Sequence, residues 1–149
     1  MMGLFDKVKG SKEAEHVKLN KEEAFAAVSL AAIAADGEIT ADEARGLVTS
    51  LLRMKLFSNY NDKNMSSMFN KLTGIIKREG VEALVTSSKE VLQADLRETA
   101  FAVAADLTLA DGVLAKGEKD ILTKIQESLG VPEDKAVNII EVMLIKNRG

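Results

Sequence analysis

A nine-residue pattern that occurs twice constrains this chain more than any other feature. Ala35-Asp36-Gly37-Glu38-Ile39-Thr40-Ala41-Asp42-Glu43 returns seventy-five residues later as Ala110-Asp111-Gly112-Val113-Leu114-Ala115-Lys116-Gly117-Glu118. Both copies read Ala-Asp-Gly-x-aliphatic-x-x-x-Glu. Each follows an Ala-rich apolar segment with helical spacing and opens a second, amphipathic one. Asp-Gly is turn chemistry, because Gly tolerates positive φ and the Asp carboxylate hydrogen-bonds nearby backbone amides. The repeated unit is therefore a helix, an acidic turn and a second helix whose first turn carries a glutamate.

The class follows from what surrounds these units. Pro occurs once and the β-branched residues sit inside helical spacing, which predicts an all-α fold. At 149 residues the chain has the size of a single domain with a full core. Disulfides, thiolate metal sites and cysteine nucleophiles are excluded because Cys is absent, a composition that fits a reducing cytoplasm. The longest apolar run, Ala24 to Ala35, is interrupted by Ser29 and falls short of the roughly 20 residues of a membrane span. Met1-Met2-Gly3-Leu4-Phe5 lacks the charged start and apolar core of a secretory signal, and a myristoylation signal is not met at Gly3. Net charge is −3 with mixed signs, and aromatics make up 4%, so no basic, aromatic-laced surface for nucleic acid is expected.

The expected organisation is a leader with one short helix over 1–19 and a helical domain over 20–149. In the leader, Leu4, Phe5 and Val8 suit a turn or two of amphipathic helix. The domain reads as a single compact bundle of about seven helices in two pseudo-symmetric helix-turn-helix halves. Asn20-Lys21-Glu22-Glu23 and Thr40-Ala41-Asp42-Glu43 are capping boxes. The helix from Ala24 is apolar nearly all round and is expected at the centre, ending at Gly37. Leu47, Leu51 and Met54 mark the buried stripe of the second helix. A third helix over about 62–78 turns Met65, Met68, Phe69, Leu72 and Ile76 inward and stops at Gly80. A short helix over 81–92 buries Leu84, Val85, Val91 and Leu92. Asp95-Leu96-Arg97-Glu98 is expected to cap the second central helix, which carries Phe101, Val103, Ala104, Leu107 and Leu109. Helices over 116–129, stopped by Gly130, and from Pro132 to about Lys146 complete the bundle.

The chemistry of the chain lies in its carboxylates. Asp-Gly, five residues and Glu is the second half of a helix-loop-helix calcium loop, corresponding to loop positions five, six and twelve. Positions one and three fall on Ala32 and Ala34 in the first copy and on Leu107 and Leu109 in the second. None of these side chains can coordinate a cation. Asp36, Glu43, Asp111 and Glu118 would form a four-carboxylate cluster if the halves bring the turns together, with Glu38 and Asp42 at its edge. Ca²⁺, Mg²⁺ or Mn²⁺ suit such oxygens, whereas one His and no Cys disfavour a closed zinc site. The structural alternative is capping: Glu43 is the reciprocal partner of Thr40, and acids favour helix N-termini. Glu118 has no such partner, because Ala115 cannot cap, and this points to a role shared by the pair. His16 reads as solvated, Met65 and Met68 as core, and Lys71, Lys77 and Arg78 as a solvated helix face. No phosphate loop, nucleophile elbow or Ser/His/Asp grouping is present.

The two Asp-Gly-x-x-x-x-x-Glu turns, the Ala-rich helices before them, the late Ser128-Leu129-Gly130-Val131-Pro132 segment and the opening Leu4-Phe5-Asp6-Lys7-Val8-Lys9-Gly10 resemble the TerB family of bacterial tellurite resistance proteins. The resemblance covers nearly the whole chain. It implies a compact all-helical domain acting as a non-enzymatic accessory or adaptor in a stress-response system. It also implies a cytoplasmic location at the inner membrane face, beside an integral membrane partner and calcium-binding companions. The family's acidic positions, proposed as metal ligands, fall here on Asp36, Glu43, Asp111 and Glu118. The tail from Asn138 to Gly149 departs by forming a longer last helix than the family pattern suggests. Two other readings stay open: a small metal-dependent hydrolase using the same carboxylates, and an interaction module in which the turns are caps and a Met-rich face binds a partner helix.

Overall fold

Several helices in this chain begin at side chains that satisfy the otherwise unpaired amides of a first turn. The computed structural model describes residues 18–35 and 39–149. In it, Asn20 Oδ1 accepts from the Glu23 amide at 2.8 Å while Glu23 Oε1 accepts from the Asn20 amide at 3.0 Å, opening α1 (Lys21–Ala34). Thr40 and Glu43 repeat the exchange at 3.1 and 2.9 Å to open α2 (Ala41–Leu52). After a 3-10 turn at Lys55–Phe57, Asn61 and Asn64 form a third such pair and start α3 (Asp62–Glu79). Then follow α4 (Val81–Val91), α5 (Ala94–Thr108), α6 (Lys116–Leu129) and α7 (Glu133–Lys146). Seven α-helices and no strand make up the described residues, an all-α fold.

The centre of the bundle is α1. Every residue from Ala24 to Ile33 is buried, as a helix apolar on all sides requires. It packs chiefly on α4 and α5 and also touches α2, α3 and α6. Small residues are buried on both helices, among them Ala27 and Ala31 on α1 and Ala100 and Ala104 on α5, together with Phe25 and Phe101. Phe25, Phe57 and Tyr60 continue the core as a chain of edge-on rings, with centroids 6.2 and 5.1 Å apart. Leu19, just before the first cap, is also buried. The outermost helix is α7, which packs mainly on α5 and buries only Ala136 fully.

The two halves meet reciprocally. Ala35, at the end of α1, shares a cavity wall with Asp120 and Ile121 in the first part of α6. Gly46, in α2, sits so close to the end of α5 that a Cβ there would lie 3.5 Å from Leu107 Cδ2. The end of each unit's first helix thus adjoins the start of the other unit's second helix, in keeping with the expected pseudo-symmetry.

Several local expectations are corrected. Asp95 does not cap α5; the cap is Gln93, two residues earlier, so the helix starts at Ala94, and Asp95 Oδ1 accepts instead from the Leu96 amide. Val91 is exposed, and Ser88 takes the inward place on α4, its hydroxyl donating to the Leu84 carbonyl at 2.9 Å. On α3 the fully buried residue near the end is Ile75, with Ile76 and Phe69 half-buried. Met54 lies beyond the end of α2 and is half-buried. Pro132 stands at the cap of α7, one position before its first turn. Gly130 stops α6 as anticipated: its φ of 74° and ψ of 28° are left-handed, and the Gly130 and Val131 amides both donate to Gln126 O. Leu4, Phe5, Val8, His16 and Gly37 lie outside the described residues.

Candidate acidic-turn site

The second turn is built from backbone hydrogen bonds and one carboxylate. The Gly112 amide donates to Leu109 O at 2.9 Å, and the exposed Asp111 accepts from the Val113 amide through Oδ1 at 3.0 Å. This is the Asx arrangement that makes Asp a turn former. Gly112 has a φ of 77° and presses against the end of α7: a Cβ there would stand 2.7 Å from Asn147 O. The same end of α7 is held to α5, where Asp106 Oδ1 accepts from Asn147 Nδ2 at 2.9 Å and from Lys146 Nζ at 3.1 Å. The turn is fixed from inside by its own Asp and from outside by the last helix.

The repeated glutamates do the same thing in both halves. Glu43 Oε1 accepts from the Thr40 amide at 2.9 Å, and Glu118 Oε1 accepts from the Ala115 amide at 3.0 Å. Lacking an acceptor, Ala115 cannot return the bond, so only the backward half of a capping box exists there. The inference that Glu118 has no capping work is therefore wrong. A glutamate at the third helical position reaches the cap amide whether or not the cap residue has a hydroxyl. In each glutamate the second oxygen, Oε2, has no hydrogen bond to another of the described residues, which leaves one acceptor per half open among them.

Of the four expected ligands, three are described: Asp111 is exposed, and Glu43 and Glu118 are half-buried. Asp36, and Glu38 at the edge, lie outside the described residues. Asp42 is fully on the surface and pairs loosely with Arg45 at 3.3 Å. Such an exposed i,i+3 pair contributes little. Among the described residues no three His, Asp or Glu side chains converge as a metal-holding group. The residues at calcium-loop positions one and three include Ala32 and Leu109, both buried in the core, so a complete loop of that type is ruled out by packing as well as by chemistry.

One feature next to the first turn has no sequence precedent. A cavity of about 150 Å³ lies between the end of α1, the start of α4 and α6. Ala31, Ala35, Val85 and Ile125 contribute apolar walls, and the exposed Glu82 and Asp120 also line it. Its volume suits one side chain rather than a metabolite. The only signal for it in the sequence is the small size of Ala31 and Ala35, and small size alone does not tell a void from a close helix contact.

Residues 22–140 match the family model described as Tellurite resistance protein TerB. The matched stretch spans both acidic turns and ends inside α7. No curated protein and no solved structure matches the chain.

Proposed function

The chain belongs to the TerB family of tellurite resistance proteins, and from that premise we propose that it is a non-enzymatic adaptor whose paired acidic turns bind a divalent cation or a basic group of a partner. The observation that carries this reading is the repeated glutamate geometry. In both halves one oxygen is committed to the helix start and the other has no partner among the described residues, and in the second half Asp111 of the preceding turn is a further oxygen donor. A hard cation such as Ca²⁺, Mg²⁺ or Mn²⁺ takes carboxylate oxygens of this kind. Glu43 and Glu118 would act as preorganised donors, and Asp36 and Asp111 would complete the set, with Glu38 and Asp42 adding negative potential. Tellurium oxyanions would be repelled by this charge unless a cation bridges them. The partners are other proteins of the resistance system, including one embedded in the membrane, met from the cytoplasmic side. The chain's own described helices include none long and apolar enough to cross a membrane.

The hydrolase alternative needs a substrate-sized cleft beside the carboxylates, and the cavity adjoining the first turn is well below the roughly 300 Å³ at which ligand pockets begin. The pure-cap alternative draws support from the hydrogen bonds of Glu43 and Glu118 and is separated by experiment. Metal-stripped protein is titrated with Ca²⁺, Mg²⁺, Mn²⁺ and Zn²⁺ by calorimetry, beside an Asp36→Asn, Asp111→Asn double variant. The proposal expects saturable binding in the parent, absent from a variant that melts normally. No heat of binding up to millimolar cation removes the cation reading and leaves the turns as caps or a docking face.

A further inference from the structure

We propose that α7 is a self-association face, on which a second copy of this chain docks its own α7 antiparallel about a two-fold axis near Glu141 and Val142. Eight of the 14 residues of this helix are apolar; Ala136 is buried and Ile139, Ile140, Met143 and Leu144 pack half-buried on the core, which leaves Val137, Val142 and Ile145 exposed. A helix with so much apolar surface ordinarily lies inside a protein or against a partner. The four most exposed large apolar side chains among the described residues are Ile145 at 62%, Val113 at 59%, Val142 at 56% and Val137 at 48%. Three belong to α7, and Val113 follows Gly112, which packs against Asn147 at its end. Asn138, Val142 and Ile145, at i, i+4 and i+7, form one outward stripe. A shallow groove of about 210 Å³ runs beside it between α5 and α7, lined by Ala102, Ile139, Val142 and Met143 among others.

The charge pattern selects the occupant. The helix begins Glu133-Asp134 and its end carries Lys146 and Arg148. Lys146 is held by Asp106 and Lys135 by Glu98, whereas Asp134 and Arg148 have no ion-pair partner among the described residues. Antiparallel pairing sets Asp134 of each copy against Arg148 of the other, brings Asn138 opposite Ile145 and places Val142 close to its own counterpart. A parallel pair would instead set acid on acid and base on base. An isologous contact repeats every favourable pairing twice, which a one-sided partner does not. The one opposing element is Glu141, which meets its symmetry mate near the axis. Val142, Ile145 and Arg148 lie beyond residues 22–140, the stretch matched by the family model. A single pair of helices about 21 Å long covers less than the ~800 Å² per partner of a standard interface, so association is concentration-dependent.

Sedimentation of the full chain from micromolar to near-millimolar concentration is the test. The mass is expected to rise from monomer to dimer, and Val142→Glu or Ile145→Glu, both on exposed positions, to hold it at monomer with helicity and melting unchanged. Asp134→Arg and Arg148→Glu singly are expected to weaken the dimer roughly fivefold, because the axis doubles each modest surface pair. Together they restore it with reversed polarity, and Glu141→Gln tightens it. Since the chain has no Cys, Val142→Cys gives a disulfide-linked dimer on oxidation, whereas Thr86→Cys on α4 does not. A monomer throughout, a dimer indifferent to Val142→Glu, or charge swaps that add rather than cancel would each overturn the proposal.

Discussion

Replacing Gly112 by Ala tests the packing of the second acidic turn against the last helix. Two costs add. The φ of 77° is left-handed, which costs a residue with a Cβ about 1–2 kcal/mol. The new methyl would also meet Asn147 O at 2.7 Å, Asn147 C at 3.2 Å and Arg148 Cα at 3.4 Å. All three are backbone atoms, which cannot rotate away as a flexible side chain does, and overpacking of this kind costs about 1–3 kcal/mol. Restricting the unfolded chain returns about 0.4–1 kcal/mol. The net loss is about 2–4 kcal/mol, read as a lower midpoint in urea denaturation followed by circular dichroism, with the slope unchanged. Gly130 supplies the control. Its φ is also left-handed, but a Cβ would meet only the flexible end of Lys89 at 3.1 Å, so Gly130→Ala loses about 0.5–1.5 kcal/mol by the backbone cost alone. In a chain ending at Lys146 the steric part of the Gly112 cost has no partner. Gly112→Ala should then fall to the Gly130 value, a coupling of about 1.5–2.5 kcal/mol. Equal losses in both backgrounds, or a Gly112 loss no larger than that at Gly130, would refute the contact.

Three further outcomes follow from single groups. Ala115→Ser supplies the missing half of the Glu118 box and should stabilise by about 0.5–1 kcal/mol, whereas Glu118→Ala should destabilise by a similar amount; opposite signs in thermal melts would remove Glu118 from its capping role. Ser29 is completely buried in α1 with no partner for its hydroxyl among the described residues, so Ser29→Ala should be neutral to about 1 kcal/mol stabilising by calorimetry, against the usual loss for a core change. Tyr60 has its pKa raised above 10.0 by burial first and by Glu22 and Glu23 second. A raised folded pKa means that the folded state keeps its proton longer, so the contribution to stability is intact below pH 10 and is lost as pH climbs through the folded value. As the chain has one Tyr and no Trp, the phenolate absorbance reports this group alone, and a midpoint at or below 10.0 would contradict the placement.

The parts of the fold most legible in the sequence are those decided within a few residues. Asn20 with Glu23, Thr40 with Glu43 and the Gly130 stop are local hydrogen-bond chemistry, and they stand where the sequence puts them. The all-round apolar run of α1 likewise announces its central position. What sequence spacing does not decide is which side of a stripe faces in when a helix is crossed obliquely. On α3 the fully buried place falls to Ile75 rather than Ile76, and on α4 the inward place falls to Ser88, whose hydroxyl can return to Leu84 O. Asp95 misleads for a related reason. Arg97 donates to Leu92 O at 2.8 Å and to Lys89 O at 2.8 Å, tying the end of α4 to the start of α5 and leaving room for the new helix to begin at Ala94. At the acidic turns the residue types were legible, but Glu118's hydrogen bond was not, because a half-box leaves no pair of polar residues to read.

The burial of α1 has a consequence for how the protein opens. Its walls come from both halves: α2, α3 and α4 on one side of the chain, α5 and α6 on the other. Neither half can therefore keep that helix dry alone, and the two repeats form one cooperative unit rather than two modules in series. Amide protons from Ala24 to Ile33 should exchange with solvent only when the whole bundle unfolds, whereas those of α7 exchange through local fraying. The first acidic turn thus leaves directly from the slowest-exchanging segment of the molecule. The second turn, by contrast, is braced by the end of a helix expected to exchange much faster.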